Sequence, residues 1–216
     1  MIKAIKASKS EKVLFIFLVV LAIFTFSSFY ILKNKCLFVE KVNLDKINFS
    51  NPENIVVMNI ECGDVIIELF PDISPQSVKR FKILIENKKY DGSAFYKVVE
   101  KTFVQAGDIE FGNIDNLDYS KIGSGKSGLG ILKSEISDEF KFIAGSVGLA
   151  RSTKFDTEDS EFFITLKEIP IYQGEYTPIG KVIYGLDILS KIKIGNKGIY
   201  VLRPDYINTL RILRSN

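Results

Sequence analysis

The first patterned segment of the chain is a continuous apolar run near its N-terminus. Residues 13–32 contain neither a charged residue nor a proline. A helix of that length spans about 30 Å, which is the thickness of the hydrocarbon core of a bilayer. Lysines precede the run, and this positive charge predicts a cytoplasmic N-terminus. We therefore expect a basic cytoplasmic segment at residues 1–12 and a transmembrane anchor at residues 13–32.

A cleaved signal peptide is the alternative interpretation of the same run. Residues 25–27 form a weak cleavage site, but apolar residues continue to Leu32. The run also exceeds the usual signal-peptide core of about 7–15 residues, which favours an uncleaved anchor. Such an anchor makes the chain a single-pass protein of the cell membrane. The rest of the chain is then expected on the extracytoplasmic, periplasmic side.

The pattern changes after the apolar run. Residues 33–54 mix apolar and charged positions too regularly for a free tether, and they predict a connector. Ile55–Ile60 and residues 65–70 are then rich in β-branched side chains and flank a Glu-Cys-Gly-Asp turn, which predicts a β-hairpin. A folded domain is expected to begin there and to cover residues 55–216.

A helix is predicted directly after the hairpin. Ser74 and Pro75 suit the N-cap and the first helical position. The apolar residues that follow recur at helical spacing and share one face. They are Val78, Phe81, Leu84 and Ile85. Residues 87–92 are expected to end the helix.

The remaining apolar segments are short and are interrupted by glycine. They predict strands at residues 94–99, 103–106, 144–150, 162–166, 180–182 and 206–213, and a second helix at residues 186–192. Many short strands with two helices are typical of a mainly β fold, here a closed barrel with helices at its ends.

Composition removes several kinds of chemistry. A net charge of +3 gives no bulk electrostatic support for nucleic-acid binding. The absence of histidine excludes Ser-His-Asp and Cys-His catalysis and histidine-ligated metal sites. Cys36 and Cys62 are too few for a four-thiolate zinc site, and they form either one disulfide or, as the simpler interpretation, two unpaired thiols. No metal and no cofactor are expected.

Two groups of residues carry the clearest chemical signal. The first comprises residues 95–99 (FYKVV) and 103–108 (FVQAGD), and the second comprises residues 160–164 (SEFFI). Together they resemble the two walls of the proline-binding pocket of cyclophilin-type peptidyl-prolyl isomerases. The resemblance extends from Ile55 to Leu213 and keeps the family's order of elements. It implies a closed eight-stranded antiparallel barrel capped by two helices, and an enzyme that rotates X-Pro bonds.

The reaction explains which residues the resemblance makes important. Rotation about an X-Pro bond breaks amide resonance, with a barrier of about 18–20 kcal/mol. A catalyst needs an apolar slot for the proline ring and a donor that binds the proline nitrogen best in the twisted state. In the family an arginine supplies this donor, and the matching residue here is Lys97. An ammonium lacks the planar fork of arginine, so the resemblance implies a rate reduced about ten- to a hundredfold.

The other site residues follow from the same resemblance. Gln105 matches a glutamine that contacts the substrate backbone, so Lys97 and Gln105 are the expected catalytic residues. The residues expected to bind substrate are Thr102, Phe103, Ala150, Glu161, Phe163, Tyr172 and Tyr176. Because neighbours along a strand face opposite sides, Phe162 is expected in the core and Phe163 in the pocket.

Some positions depart from the family's pattern. Thr102 stands where phenylalanine is usual, and Glu161 stands where glutamine is usual. If Glu161 lies near Lys97, an ion pair could either hold the lysine in place or occupy it. Residues 123–127 (GSGKS) lack the first glycine of a phosphate-binding loop. They are expected to form a loop at the edge of the groove.

Two functional hypotheses follow. The leading one is a membrane-anchored isomerase that acts on proline-containing segments of unfolded or exported proteins, as a monomeric domain that binds no nucleic acid. The alternative is a non-catalytic proline-peptide-binding or chaperone module, which the changes at Lys97, Thr102 and Glu161 favour. A structural domain with a vestigial groove is least favoured, because Gln105, Phe163 and Tyr172 still define an apolar slot with a polar rim.

Overall fold

The N-terminal unit of the chain consists of one long helix. A computed structural model describes residues 8–33, 36, 42, 44, 47–195 and 200–213, and the chain divides into two compact units, Met1–Val39 and Glu40–Asn216. The helix α1 (Lys9–Lys33) belongs to the first unit. Its segment Lys9–Ile31 is long and apolar enough to cross a membrane, and its side chains are exposed. This helix contains the predicted anchor.

The second unit is mainly β, as expected. Its strands are β1 (Ile55–Ile60), β2 (Gly63–Leu69), β3 (Lys97–Val99), β4 (Phe103–Ala106), β5 (Gly112–Asn113), β6 (Asn116–Leu117), β7 (Ser146–Leu149), β8 (Phe162–Thr165), β9 (Pro178–Tyr184) and β10 (Ile207–Ile212). Its helices are α2 (Pro75–Glu86) and α3 (Leu186–Leu189), with 3-10 turns at Pro52–Asn54 and Pro170–Tyr172. The helix α2 packs against β10, and α3 packs against β2.

Eight of these strands form one antiparallel sheet in the order β10-β1-β2-β9-β7-β8-β4-β3. The prediction of a closed barrel is wrong, because the end strands β3 and β10 do not pair as strands within the described residues. Isolated bridges join Ala94 to Tyr206 and Lys97 to Tyr200 instead. Pro204 has no N–H to donate, and Arg203 has a positive φ of 60°, so the pairing between these two segments is interrupted there. The sheet is a curled half-barrel.

The predicted hairpin and first helix are confirmed. β1 pairs with β2 in a register that places Ile60 opposite Gly63. The predicted apolar face of α2 is buried, with Phe81 fully enclosed. Ser74 occupies the N-cap position, but its hydroxyl donates to the carbonyl of Pro178 and does not cap the helix.

Glu135 takes over that capping role from a distant loop. Its carboxylate accepts the N–H of Gln76 at 3.1 Å and the N–H of Ser77 at 2.8 Å. A negative charge at a helix N-terminus also interacts favourably with the helix dipole. The sequence pattern around Ser74 therefore located the start of α2 but named the wrong capping side chain.

Other element boundaries differ from the predictions. The strand expected at residues 94–99 is regular only over β3, because Ser93 and Ala94 make isolated bridges and residues 95–96 belong to no strand. The helix expected at residues 186–192 ends at Leu189. The hairpin of β5 and β6 was not predicted, since strands of two residues show no alternation.

The two cysteines correct another expectation. Cys36 and Cys62 are both disulfide-bonded, and neither is a free thiol in the part of the chain that the structure describes. The interpretation as unpaired thiols is therefore wrong. The bonding state of a cysteine depends on the folded protein, and spacing along a sequence does not reveal it.

The core lies between α2 and the sheet. The ring of Phe162 packs edge-on against Phe81 and Tyr90, with centroid distances of 5.2 and 5.5 Å. Phe95 is fully buried as well. Because Phe162 points into this core, its neighbour Phe163 points to the other face of β8, where the candidate site lies.

Candidate active site

The candidate site begins with a row of residues that crosses four strands. Lys97 on β3 lies opposite Gln105 on β4, and Gln105 lies opposite Phe163 on β8. Phe163 in turn lies opposite Gly148 on β7. Residues directly opposite one another in a sheet project from the same face. The fold therefore brings both predicted catalytic residues and the predicted pocket floor onto one surface.

An aromatic cluster forms the apolar part of this surface. Phe103, Phe142, Phe163 and Ile169 are buried together, and Ala150, Tyr172 and Tyr176 are among the residues packed against them. The ring of Phe163 lies 5.3 Å from that of Tyr172 and 5.2 Å from that of Tyr176, both edge-on. Such edge-to-face contacts are favourable beyond their buried area. These rings hold the floor of the site in a defined position.

A glycine makes this packing possible. A Cβ atom on Gly148 would lie 2.6 Å from Cζ of Phe163 and 2.9 Å from Cε1 of Phe142. Any larger residue would displace both rings, so the close ring packing depends on Gly148. Sequence analysis missed Phe142, because it lies in an irregular segment where no hydrophobic period marks it.

Lys97 lies at the edge of the aromatic cluster. Its Nζ is 5.6 Å from the centroid of the Phe103 ring, a cation–π distance. Burial lowers the pKa of Lys97 from its ordinary value, and the negative charge of Glu161 opposes that effect. The fold thus places the ammonium of Lys97 beside the apolar surface.

Glu161 does not form an ion pair with Lys97. Among the described residues, no carboxylate lies within ion-pair distance of the Lys97 ammonium. The carboxylate Oε2 of Glu161 instead accepts the hydroxyl of Tyr96 and, at 2.9 Å, Nε2 of Gln105. Neither of the two ion-pair outcomes considered from the sequence occurs, because Glu161 is directed to Tyr96 and Gln105.

Burial shifts the pKa values of Glu161 and Tyr96. Burial raises the pKa of Glu161, while the hydrogen bond from Tyr96 lowers it. The pKa of Tyr96 is well above its ordinary value, first because of burial and then because of the negative charge of Glu161. Tyr96 was not predicted as a site residue, since alternation from Lys97 directs it to the opposite face.

The remaining predicted residues differ in their placement. Ala150, Tyr172 and Tyr176 contact the aromatic cluster. Thr102 lies in the turn between β3 and β4, and its hydroxyl donates to the carbonyl of Glu100 at 3.0 Å. This local hydrogen bond holds the Thr102 side chain against its own turn.

A buried aspartate fixes the glycine loop beside the site. The Asp108 side chain is fully buried, and its carboxylate accepts four backbone N–H groups. The donors are Glu110, Phe111, Gly123 and Gly125. A Cβ on Gly123 would lie 3.3 Å from Cε2 of Tyr96, so this loop borders the polar group of the site. The expectation of a groove-edge loop agrees with this position.

A small cavity continues the site past Glu161. It has a volume of ≈ 90 Å³, and Gly125, Lys126, Ala150, Arg151 and Glu161 are among its lining residues. Nη2 of Arg151 donates to Glu175 at 2.8 Å. Sequence analysis missed Lys126 and Arg151 as site residues, because single cations in loops carry no pattern.

This arrangement suits non-covalent chemistry. An apolar aromatic surface, the half-buried ammonium of Lys97 and the buried amide of Gln105 lie together, so the site can hold a small ring and donate hydrogen bonds beside it. Such groups act by binding one geometry of a ligand more tightly than another.

Comparison with known proteins agrees with this geometry. Residues 55–212 match the family described as cyclophilin type peptidyl-prolyl cis-trans isomerase/CLD. A probable peptidyl-prolyl cis-trans isomerase of Brucella suis is 40% identical over 149 residues, covering 68% of this chain and 76% of the relative.

Solved structures show the same likeness. A cyclophilin type peptidyl-prolyl cis-trans isomerase of Cryptosporidium parvum, crystallised in the presence of the dipeptide Ala-Pro, is 27% identical with a TM-score of 0.64. The match covers 75% of this chain and 99% of that one. Cyclophilin AquaCyp293 of Hirschia baltica, 20% identical with a TM-score of 0.63, shares the fold over 74% of each chain. The chain therefore belongs to the cyclophilin-type peptidyl-prolyl cis-trans isomerase family.

Proposed function

We propose that this chain accelerates cis–trans rotation about X-Pro bonds with Lys97 as the donor, at a rate below that of family members that carry arginine there. The observation that carries the proposal is the row of Lys97, Gln105 and Phe163 beside the aromatic cluster. The relative crystallised with Ala-Pro supports proline-containing polypeptides as the ligands.

The proposed mechanism needs no covalent step. The proline ring rests against Phe103, Phe163 and the neighbouring tyrosines, and the peptide lies across β4. The ammonium of Lys97 donates to the proline nitrogen, whose lone pair becomes available only when the X-Pro bond is twisted. Because this hydrogen bond is stronger in the twisted state than in the planar state, it lowers the barrier to rotation.

The proposed location is the extracytoplasmic side of a cell membrane, with exported proteins as clients. The apolar helix α1 supports an anchor. The disulfide-bonded state of Cys36 and Cys62 supports an oxidising compartment. An alkaline phosphatase fused after Asn216 should be active when expressed in a Gram-negative host, since that enzyme folds only outside the cytoplasm. An inactive fusion that is fully expressed would place the domain in the cytoplasm.

The isomerase proposal is tested with the full chain in detergent micelles. A short Xaa-Pro peptide is added, and its cis–trans exchange is measured by NMR at increasing protein concentration. We expect an exchange rate that rises in proportion to the protein, with saturation by the peptide. An exchange rate that stays at its uncatalysed value would contradict the proposal.

The same experiment distinguishes the isomerase from the alternative function, a non-catalytic module that binds proline-containing peptides. The replacement residues Lys97, Thr102 and Glu161 favour a module that binds proline segments without turnover. Saturable binding of the peptide with an unchanged exchange rate would select that alternative. Absence of both binding and exchange would exclude both functions for this site.

A further inference from the structure

The nitrogen of the Gln105 amide faces two acceptors inside the protein. Nε2 of Gln105 donates to the hydroxyl oxygen of Tyr96 and to the carboxylate of Glu161. A primary amide has two N–H donors and one oxygen acceptor. Because the Tyr96 hydroxyl and the Glu161 carboxylate are hydrogen-bonded to each other, both acceptors lie on the same side of Nε2. The amide nitrogen is therefore turned towards them, and the oxygen Oε1 lies on the other side of the amide.

The direction of these hydrogen bonds is fixed by chemistry. An ionised Glu161 carboxylate can only accept, so the Tyr96 hydroxyl donates its hydrogen bond to it. The Tyr96 oxygen can then only accept a hydrogen bond from Gln105. The reversed amide would point Oε1 at the Glu161 carboxylate, which is repulsive. The order of donation is thus from Gln105 to Tyr96, with Glu161 accepting from both.

The oxygen Oε1 of Gln105 has no partner among the described residues and is not fully buried. Oε1 accepts no hydrogen bond from any residue that the structure describes. It is not enclosed either, since Ser77 Oγ is the one fully buried side-chain N or O atom without a partner in that part of the chain. Gln105 as a whole is only 8% exposed. The small exposed part of the Gln105 side chain therefore includes Oε1.

We propose that Tyr96 and Glu161 are positioning residues that lock Gln105 as a hydrogen-bond acceptor, so that the site recognises a backbone N–H of the bound peptide at this point. The proposal deepens the proposed isomerase function and rests on it for the identity of the ligand. The lock itself is a property of the free protein. Tyr96 and Glu161 contact Gln105, and through it they act on the substrate.

The lock can be measured without turnover. The chain has three glutamines, Gln76, Gln105 and Gln173, so ¹⁵N-glutamine labelling of the full chain in micelles gives three side-chain amides. We expect at least one of the Gln105 amide protons to exchange with water about tenfold more slowly than those of the exposed Gln76, because it is hydrogen-bonded and buried. Tyr96→Phe and Glu161→Met each remove one acceptor and should restore faster exchange.

Tyr184→Phe is the matched control, because it deletes a tyrosine hydroxyl from an exposed ring at the end of β9. It should leave the Gln105 exchange rate unchanged. Thermal unfolding of each variant shows whether the fold is retained. Equal exchange of the Gln105 amide in wild type, Tyr96→Phe and Glu161→Met, with all three folded, would overturn the lock.

The acceptor role is tested with peptides. In a series of Xaa-Pro peptides, each backbone amide near the proline is replaced in turn by an ester, which removes one N–H. Wild type should bind one of the esters about three- to tenfold more weakly than the amide peptide. Tyr96→Phe should raise KM for the amide peptide by a similar factor, change kcat less, and lose the discrimination.

The outcomes distinguish this proposal from the proposed function. Slow Gln105 exchange with an uncatalysed peptide would retain the lock and reject the isomerase. Catalysis with equal binding of all esters would retain the isomerase and overturn the acceptor role.

Discussion

Replacing Lys97 by alanine is expected to lower kcat/KM for an Xaa-Pro peptide about 10- to 100-fold. The ammonium is the cation that the fold places beside the ring of Phe103, and a hydrogen bond from a charged group contributes about 1.5–3 kcal/mol. Because this bond is proposed to form in the twisted state, kcat should fall more than KM changes. Peptide exchange measured by NMR on the full chain gives both constants.

Two further variants sharpen this result. Lys97→Arg should raise kcat/KM about tenfold, since guanidinium offers several donors in a fixed plane. Lys101→Ala removes an exposed lysine from the turn between β3 and β4 and should leave the rate unchanged. If wild type and Lys97→Ala catalysed equally, Lys97 would have no part in the mechanism.

The pH profile offers a second readout of the same residue. Burial lowers the pKa of Lys97, so its charge is lost at a lower pH than that of a solvated lysine, and kcat/KM should fall as the pH rises through that pKa. Lys97→Arg should lack this decline, because arginine stays charged. Glu161→Gln should move the decline to lower pH, because the charge of Glu161 raises the Lys97 pKa. Superimposable profiles for wild type and Lys97→Arg would contradict the assignment.

Asp108→Ala is expected to lower the free energy of unfolding by about 3–5 kcal/mol. The change leaves four backbone N–H groups without their acceptor, and an unsatisfied buried donor costs about 1–3 kcal/mol, with incomplete additivity. It also opens space beside Gly125, where a Cβ would lie only 2.0 Å from Oδ1 of Asp108. Urea denaturation of the solubilised full chain, followed by far-UV circular dichroism, measures the change.

Asp115→Ala is the control for this loss. Asp115 is an exposed carboxylate in the turn between β5 and β6, and its removal should change the free energy of unfolding by less than about 0.5 kcal/mol. A similar small change for Asp108→Ala would show that the glycine loop holds its position without the buried carboxylate.

Much of the fold is readable from local patterns. The spacing of Val78, Phe81, Leu84 and Ile85 predicted the buried face of α2, and all four are enclosed. Alternation along β8 separated Phe162, in the core, from Phe163, in the aromatic cluster. Both patterns follow from the geometry of a single element, which is why a sequence can show them.

The features that were missed depend on contacts between distant elements. Tyr96 precedes the regular part of β3, so alternation misjudged it, and its long side chain reaches Gln105 and Glu161. The expected closure of the barrel fails at Arg203 and Pro204, which interrupt pairing next to the end strand β10. A sequence does not show that these two residues lie at the position where the barrel would close. The pairing partner of each residue is a property of the assembled sheet.

The turn between β3 and β4 has a consequence of its own. It spans residues 100–102 and contains Lys101 at a positive φ of 52°. Inserting or deleting one residue there would shift the pairing of β3 with β4 by one residue. Val98 would then replace Lys97 on the face that carries Gln105, while most hydrogen bonds between the two strands would be kept. In this half-barrel the number of residues in the turn therefore decides whether Lys97 or Val98 lies on the same face as Gln105 and Phe163.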